Sequence, residues 1–334
     1  MLFKVFFSNR SLQIFTSGNE FYVPSSPITP QTISVKKQSG YGAKGIKPVS
    51  IDGVSIFVQG TGKSLLQYVF DNDYQANQTT SISVLAPHLI KNPVDMAISQ
   101  GTDSSDANYV YIVNSDGTMT VFNTLLSQDV AGFTRWESGD IKSVAVVDNK
   151  VYLLIQRLIN GTYRLYIERE NTELNTDSSS LTTGTDLTTG TGLDHLEGET
   201  VNVKADGYYE GNKTVESGEI TINYFADSIE AGLEFLPTIT TMPLNINMQG
   251  GPNASNKKKI MRVSAQIHES NGVIISGQRI ADKTIGVDVF DAPQPQTGLR
   301  RIFLSGWSLS ASVTITQDTP FPFTILNIGM EVKV

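Results

Sequence analysis

The chain has 334 residues, enough for two or three domains with a sizeable core, and a formal net charge of −8 at pH 7. That charge argues against general nucleic-acid binding by phosphate neutralisation. The absence of cysteine excludes thiol catalysis, disulfides and Cys-ligated zinc. Helical periodicity is nearly absent, whereas Val, Ile, Thr and Tyr alternate with polar residues almost throughout, so an all-β protein is expected. The apolar start at Met1–Phe7 is cut by Ser8, Asn9 and Arg10, too early for a signal peptide. No stretch approaches the roughly 20 apolar residues of a membrane helix, and a soluble protein made in a cytoplasm is expected.

In chain order, Leu12–Gly18 and Glu20–Val23 predict a hairpin around Ser17-Gly18-Asn19. Pro24, Pro27 and Pro30 then impose an extended connection before an apolar segment over residues 32–35. From Val49 to Glu168 one pattern occurs three times: short apolar segments separated by tight turns, recurring after 45 and then 48 residues from Ser50 to Asp95 to Ser143. A four-stranded propeller blade takes roughly 40 to 50 residues, and a blade cannot bury both faces alone. Asp52-Gly53, Asp116-Gly117 and Asn160-Gly161 supply the positive φ that tight hairpins need. The continuous apolar run Val151–Ile155 reads as a fully buried strand. A β-sandwich is the alternative to a propeller-like repeat domain over residues 1–170.

Residues 171–192 are rich in Ser, Thr and Gly and poor in apolar side chains, which predicts a linker or projecting loop, with an edge hairpin from the repeated Leu-Thr-Thr-Gly (Leu181–Gly184, Leu187–Gly190) as the alternative. Val201, Val203 and the run Ile220–Tyr224 alternate with polar residues, predicting a small β-barrel or sandwich over 193–245. Residues 246–334 read as further paired strands that would complete the propeller or stand as a separate platform, with a hairpin turn at Asn271-Gly272.

Candidate chemistry is sparse. Gly60-Thr-Gly-Lys-Ser64 lacks the first glycine of a phosphate loop, since Phe57 holds that position, and no helix follows it; a hairpin turn is expected. His88, His195 and His268 are far apart, without metal-ligand spacing. Asp71-Asn-Asp73 and Asp103-Ser-Ser-Asp106 miss the calcium-loop pattern and read as solvated turns. Trp136 and Trp307 read as core or interface anchors. No catalytic, cofactor or metal residue is predicted. Lys257-Lys258-Lys259 is the one basic run; it reads as a solvated turn or as a contact to DNA phosphate or an acidic neighbouring subunit.

Residues 15–23 (FTSGNEFYV) and 28–59 (ITPQTISVKKQSGYGAKGIKPVSIDGVSIFVQ) resemble the propeller-forming region of tail nozzle proteins, the tail-tube hub components of short-tailed bacteriophages. The resemblance continues through His88-Leu89, Val94-Asp95, Ser115–Thr118, Glu137–Val147, Arg157–Gly161 and Tyr166–Arg169, covering most of residues 12–169. Gly192–Val201 with Val203–Gly207 resembles the small β-domain of that family, and Ala231–Pro237 with Pro243-Leu244 its exit. The end, from Ser310 to Ile328, is similar to its closing strands. In the family an additional N-terminal part usually precedes the propeller and forms much of a ring-building platform with the C-terminal strands, so the resemblance implies platform-like C-terminal strands here, whereas Met1 lies close to the first propeller motif.

The resemblance implies a non-enzymatic structural protein of the virion tail, assembled in the bacterial host cytoplasm without cofactors. Six copies would form a ring below a portal adaptor, with needle or fibre proteins distal to it. Its bore would retain genomic double-stranded DNA and conduct it without sequence-specific contacts, past an acidic lining that repels phosphate. A carbohydrate-binding or glycan-cleaving propeller on a particle surface is the alternative reading.

Overall fold

The computed structural model of the chain describes residues 2–8, 11–24, 27–103, 106–125, 128, 130–245, 247–248, 251–252, 256–283 and 292–334. It is an all-β protein in which the described helices are short 3-10 turns, none long and apolar enough to cross a membrane. The chain divides into two compact units, Met1–Asn171 and Thr172–Val334.

The first unit is a series of antiparallel meanders, each formed by consecutive strands. The first sheet holds β1 (Leu2–Ser8), β2 (Ser11–Thr16), β3 (Glu20–Val23) and β4 (Lys36–Ser39), in that order. The second holds β5 (Val49–Ile51), β6 (Val54–Val58), β7 (Leu65–Asp71) and β8 (Ala76–Ser81). β9 (Asp95–Ser99), β10 (Asn108–Val113), β11 (Met119–Leu125) and β12 (Val130–Trp136) make the third. The fourth has three strands, β13 (Asp140–Val147), β14 (Lys150–Ile159) and β15 (Thr162–Arg169). The three repeats legible in the sequence are the second, third and fourth sheets, and the N-terminal hairpin belongs to a sheet of its own.

Burial shows how these sheets stack. Along β6, Phe57 enters a cluster with Phe15, Leu66 and Tyr68 between the first and second sheets. Its neighbours Ile56 and Val58 enter a different cluster, with Val110, Ile112 and Phe122 of the third sheet. β10 divides in the same way: Val110 and Ile112 face the second sheet, while Tyr111 and Val113 join Ile141, Val144, Val151, Leu153 and Ile155 of the fourth. Because side chains alternate across a strand, such division places one sheet on each side of β6 and of β10. This is blade-on-blade packing, and the unit is propeller-like in that sense.

The sequence-aligned repeat positions meet across the stack: Asp95 Oδ2 accepts hydrogen bonds from the Ser143 hydroxyl and, at 3.2 Å, from the Val144 amide. Two hairpins use backbone conformations that the sequence advertises, with φ of 47° and 82° at Asp52-Gly53 and 46° and 72° at Asn160-Gly161. The apolar segment at 32–35 does not start a strand. Thr29-Pro30-Gln31-Thr32 closes a turn, with the Thr32 amide 3.1 Å from the Thr29 carbonyl, and pairing begins only at Lys36.

The second unit corrects the linker expectation. Within residues 171–192 lies β16 (Asp177–Gly190), which pairs with β19 (Ile220–Leu233) at the edge of a sheet in the order β16-β19-β17-β18. The other members are β17 (Thr200–Ala205) and β18 (Tyr208–Thr214). Register shifts between Thr183 and Leu187 absorb Gly184, Thr185 and Asp186 as a bulge, which suits an edge. Leu193, Leu196, Val201, Val203 and Ile229 are buried there.

The remaining strands are β20 (Thr238–Thr240), β21 (Asn247–Met248), β22 (Gly251–Pro252), β23 (Lys259–Ser270), β24 (Val273–Ile275), β25 (Gln278–Arg279), β26 (Gln296–Phe303), β27 (Thr314–Gln317) and β28 (Ile325–Lys333). Sheets β20-β27-β24-β25 and β26-β23-β28 share one core of Ile260, Val263, Ala265, Val273, Ile275, Ile302, Val313 and Ile315, forming two packed layers. β20 therefore belongs with the C-terminal strands, not with the small domain predicted to end at 245.

Candidate functional site

Among the exposed apolar side chains of the described residues, several gather on the outer face of the fourth sheet. The run Val151–Ile155 is not buried on both sides: Val151, Leu153 and Ile155 enter the core, whereas Tyr152 and Leu154 are only partly covered. Register sets Tyr163 opposite Leu158, Leu165 opposite Gln156 and Ile167 opposite Leu154, so these side chains share the outer face. Ile167 is 79% exposed, Tyr163 69%, Leu165 59% and Leu158 55%. These four side chains, with Gln156 among them, make a largely apolar exposed sheet face.

β15 is also the edge strand of its sheet among the described residues. Charge on the opposite, inward face is held in a specific pair. The buried Arg157 guanidinium donates to both oxygens of Glu168, each at 2.6 Å, and to the Ser138 hydroxyl at 2.9 Å. That bidentate geometry fixes β14 against β15 and gives the outer face a rigid backing.

The residues singled out for chemistry are used structurally. Gly60–Ser64 is the β6–β7 hairpin: Gln59 N donates to Ser64 O at 3.0 Å, and Gly62, with φ of 70°, donates to Gln59 O. A Cβ on Gly62 would meet Asn92, so this turn needs glycine for space as well as conformation. Asp71 Oδ1 accepts from the amides of Asp73 and Tyr74 and closes the β7–β8 turn. Asp106 Oδ2 accepts from Thr102, while residues 104–105 of that loop lie outside the described residues. His88 is exposed in a 3-10 turn, His195 Nε2 lies 2.8 Å from Ser178 O, and His268 is exposed on β23. Among the described residues, no group of three or more His, Cys, Asp or Glu side chains is placed to hold a metal ion. Trp136 packs partly buried against the core between the third and fourth sheets, and Trp307 is half exposed.

Asp116, in the β10–β11 turn, accepts from the Thr118 amide and hydroxyl and pairs with Lys91 at 2.7 Å. Partial burial pulls its pKa upward. The hydrogen bonds from Lys91 and Thr118 and the Lys91 charge outweigh that and hold it at about 2. A depressed folded-state pKa stabilises the fold above the unfolded value of 3.8, and this stabilisation is lost as pH falls through about 2. A carboxyl NMR titration is expected to place the Asp116 midpoint near 2, and Lys91→Met to move it toward 3.8.

The basic run is not a uniform patch. Lys258 is 2% exposed, and its backbone pairs with Ser308 in both directions at 2.8 and 2.9 Å, so a three-lysine contact surface is corrected to two positions. Lys257 is exposed. Lys259 is half-buried and lies directly opposite Lys333 of β28, concentrating positive charge at that end of the sheet.

No family model matches the chain, and no curated protein is similar enough to count as a match. Among solved structures, a crystal structure of the N-terminal domain of Nup159 is similar at a TM-score of 0.31 and 10% identity, over 69% of this chain and 75% of that one. At that score the likeness carries no argument about function, and the propeller-like description rests on the stacked sheets themselves.

Proposed function

We propose that this chain is a structural component of a short-tailed phage tail, a nozzle subunit that assembles into a ring and conducts genomic DNA. The observation that carries the assembly half of this reading is the apolar outer face of the fourth sheet, Leu158, Tyr163, Leu165 and Ile167, backed by the Arg157–Glu168 pair. The tail assignment draws its support from the ordered motifs across residues 12–169 and 192–244. Lys257 and Lys259, with Lys333 opposite, are the positions offered for a DNA phosphate or an acidic neighbour. The bore itself is proposed to be acidic, in keeping with the net charge of −8.

Light scattering of the purified full chain, with negative-stain imaging of it and of intact particles, tests the reading. The expected result is a ring-sized species or density at a tail tip. Leu165→Asp with Ile167→Asp is expected to abolish the assembled species while costing the monomer about 1–2 kcal/mol, the sum of two exposed changes to a poor strand former. A wild-type chain that stays monomeric over a wide concentration range and is absent from particles overturns the proposal. Binding to a glycan array would then favour the carbohydrate-binding alternative.

A further inference from the structure

A second site lies between the first and second sheets, independent of the assembly face. Three side chains in that layer are at least nine-tenths buried and carry polar atoms with no hydrogen-bond partner, Gln13 Oε1, Glu20 Oε1 and Ser55 Oγ; beside them the buried Tyr68 hydroxyl and Asn77 amide have only each other within reach. They come from five strands of two facing sheets. Gln13 and Glu20 lie on the face of β2 and β3 that holds Phe15; Ser55, Tyr68 and Asn77 share the face of β6, β7 and β8 that packs on it. The sheets meet there closely, with the Phe15 ring 4.9 Å from Phe57 and 5.7 Å from Tyr68. Hydrogen bonds also cross the layer, from Thr79 Oγ1 to Ser39 Oγ at 2.9 Å and from Asn77 N to Gln38 Oε1 at 2.5 Å.

Glu20 is the charge at the centre of this layer. It is fully buried; Oε2 accepts from the Ser39 hydroxyl and, at 3.3 Å, from the Tyr41 amide. Among the described residues it has no ion pair. Burial and then the Glu20 charge push the Tyr68 hydroxyl well above the ordinary tyrosine range, which places the two groups within electrostatic reach. A carboxylate removed from water is costly unless its charge is compensated. The partnerless atoms are oxygens, an amide carbonyl, a carboxylate oxygen and the Ser55 hydroxyl, and the Tyr68 hydroxyl oxygen keeps a lone pair free beside its Asn77 contact. Water could satisfy their hydrogen-bonding capacity, but water does not neutralise the charge. Hard cations take such oxygen ligands, and a single carboxylate matches a single positive charge.

We propose that Gln13, Glu20, Ser55 and Tyr68 bind a dehydrated alkali-metal cation that fastens the first sheet to the second. Thermal unfolding of the full chain tests this, in sodium chloride or potassium chloride against choline chloride at equal ionic strength. At a hundred times the half-saturating concentration, the expected rise in Tm is roughly 5–10 °C for a unit of this size. Glu20→Gln is expected to remove the salt-specific rise. Should that variant fail to fold, Tyr68→Phe supplies the test by shifting half-saturation several-fold upward. A rubidium-soaked crystal should show an anomalous peak between Glu20 and Tyr68. Equal Tm in choline and alkali-metal salts, ordered water alone at that position, or stabilisation by calcium but not by sodium or potassium each overturns the assignment.

Discussion

Replacing Glu230 by alanine is expected to destabilise the second unit by about 3–5 kcal/mol, the cost of leaving one member of a buried pair without its partner. Glu230 lies directly opposite Lys204 across β17 and β19, and their charged groups are 2.6 Å apart with only 3% and 16% of the side chains exposed. The other carboxylate oxygen accepts from the Asn175 and Thr176 amides at 2.6 and 2.9 Å and from the Thr176 hydroxyl at 3.0 Å. Lys204 also donates to Asn175 Oδ1 at 2.7 Å. One carboxylate therefore ties the segment entering β16 to the centre of the sheet. Urea unfolding of the full chain checks the loss. Lys204→Met combined with Glu230→Leu should recover part of it, since the unpaired ammonium is gone, but not all, since the Asn175 and Thr176 amides still lack their acceptor. Full recovery would mean that the amide contacts contribute nothing.

Phe15→Ala is expected to cost the first unit about 3–5 kcal/mol, the range for deleting a buried aromatic ring that its surroundings cannot refill. Phe15 is 1% exposed and is the first sheet's aromatic contribution to the cluster with Phe57 and Tyr68. Its loss opens space beside Glu20, so the same variant should also weaken the salt-specific stabilisation proposed for that layer. Thermal melts in choline and in sodium salts read both effects. A change below about 1 kcal/mol would show that the first and second sheets are held together by something other than this cluster.

Strand positions and turns were legible because both signals are local. Period-two alternation and Asp-Gly or Asn-Gly dipeptides act within a few residues, so β5, β6, β14 and β15 could be anticipated. What depended on distant partners could not. β16 was legible only as the edge-hairpin alternative to a loop, since it has little apolar content of its own; it becomes a strand because β19, far along the chain, offers it a ladder while Ile220 and Ile229 supply the burial. Lys258 reads as solvated among its lysine neighbours, yet the Ser308 pairing buries it. The outer face of the fourth sheet was hidden for a related reason: Val151–Ile155 has the same pattern whether one neighbouring sheet or two cover it. The Glu20 site was invisible because its members are ordinary polar residues scattered from β2 to β8. Only the stacking of two sheets makes them neighbours.

That stacking has a consequence for how the first unit tolerates change. Its sheets form a sequence of nearest-neighbour couplings, comparable to a repeat array in which each element depends on the ones beside it. β6 and β10 each send alternate side chains into two different cores, so a disturbance there spreads in both directions. β15 sends none into a second core. Its outward positions are released from packing constraint on their own sheet, which leaves evolution free to set them for whatever surface they meet.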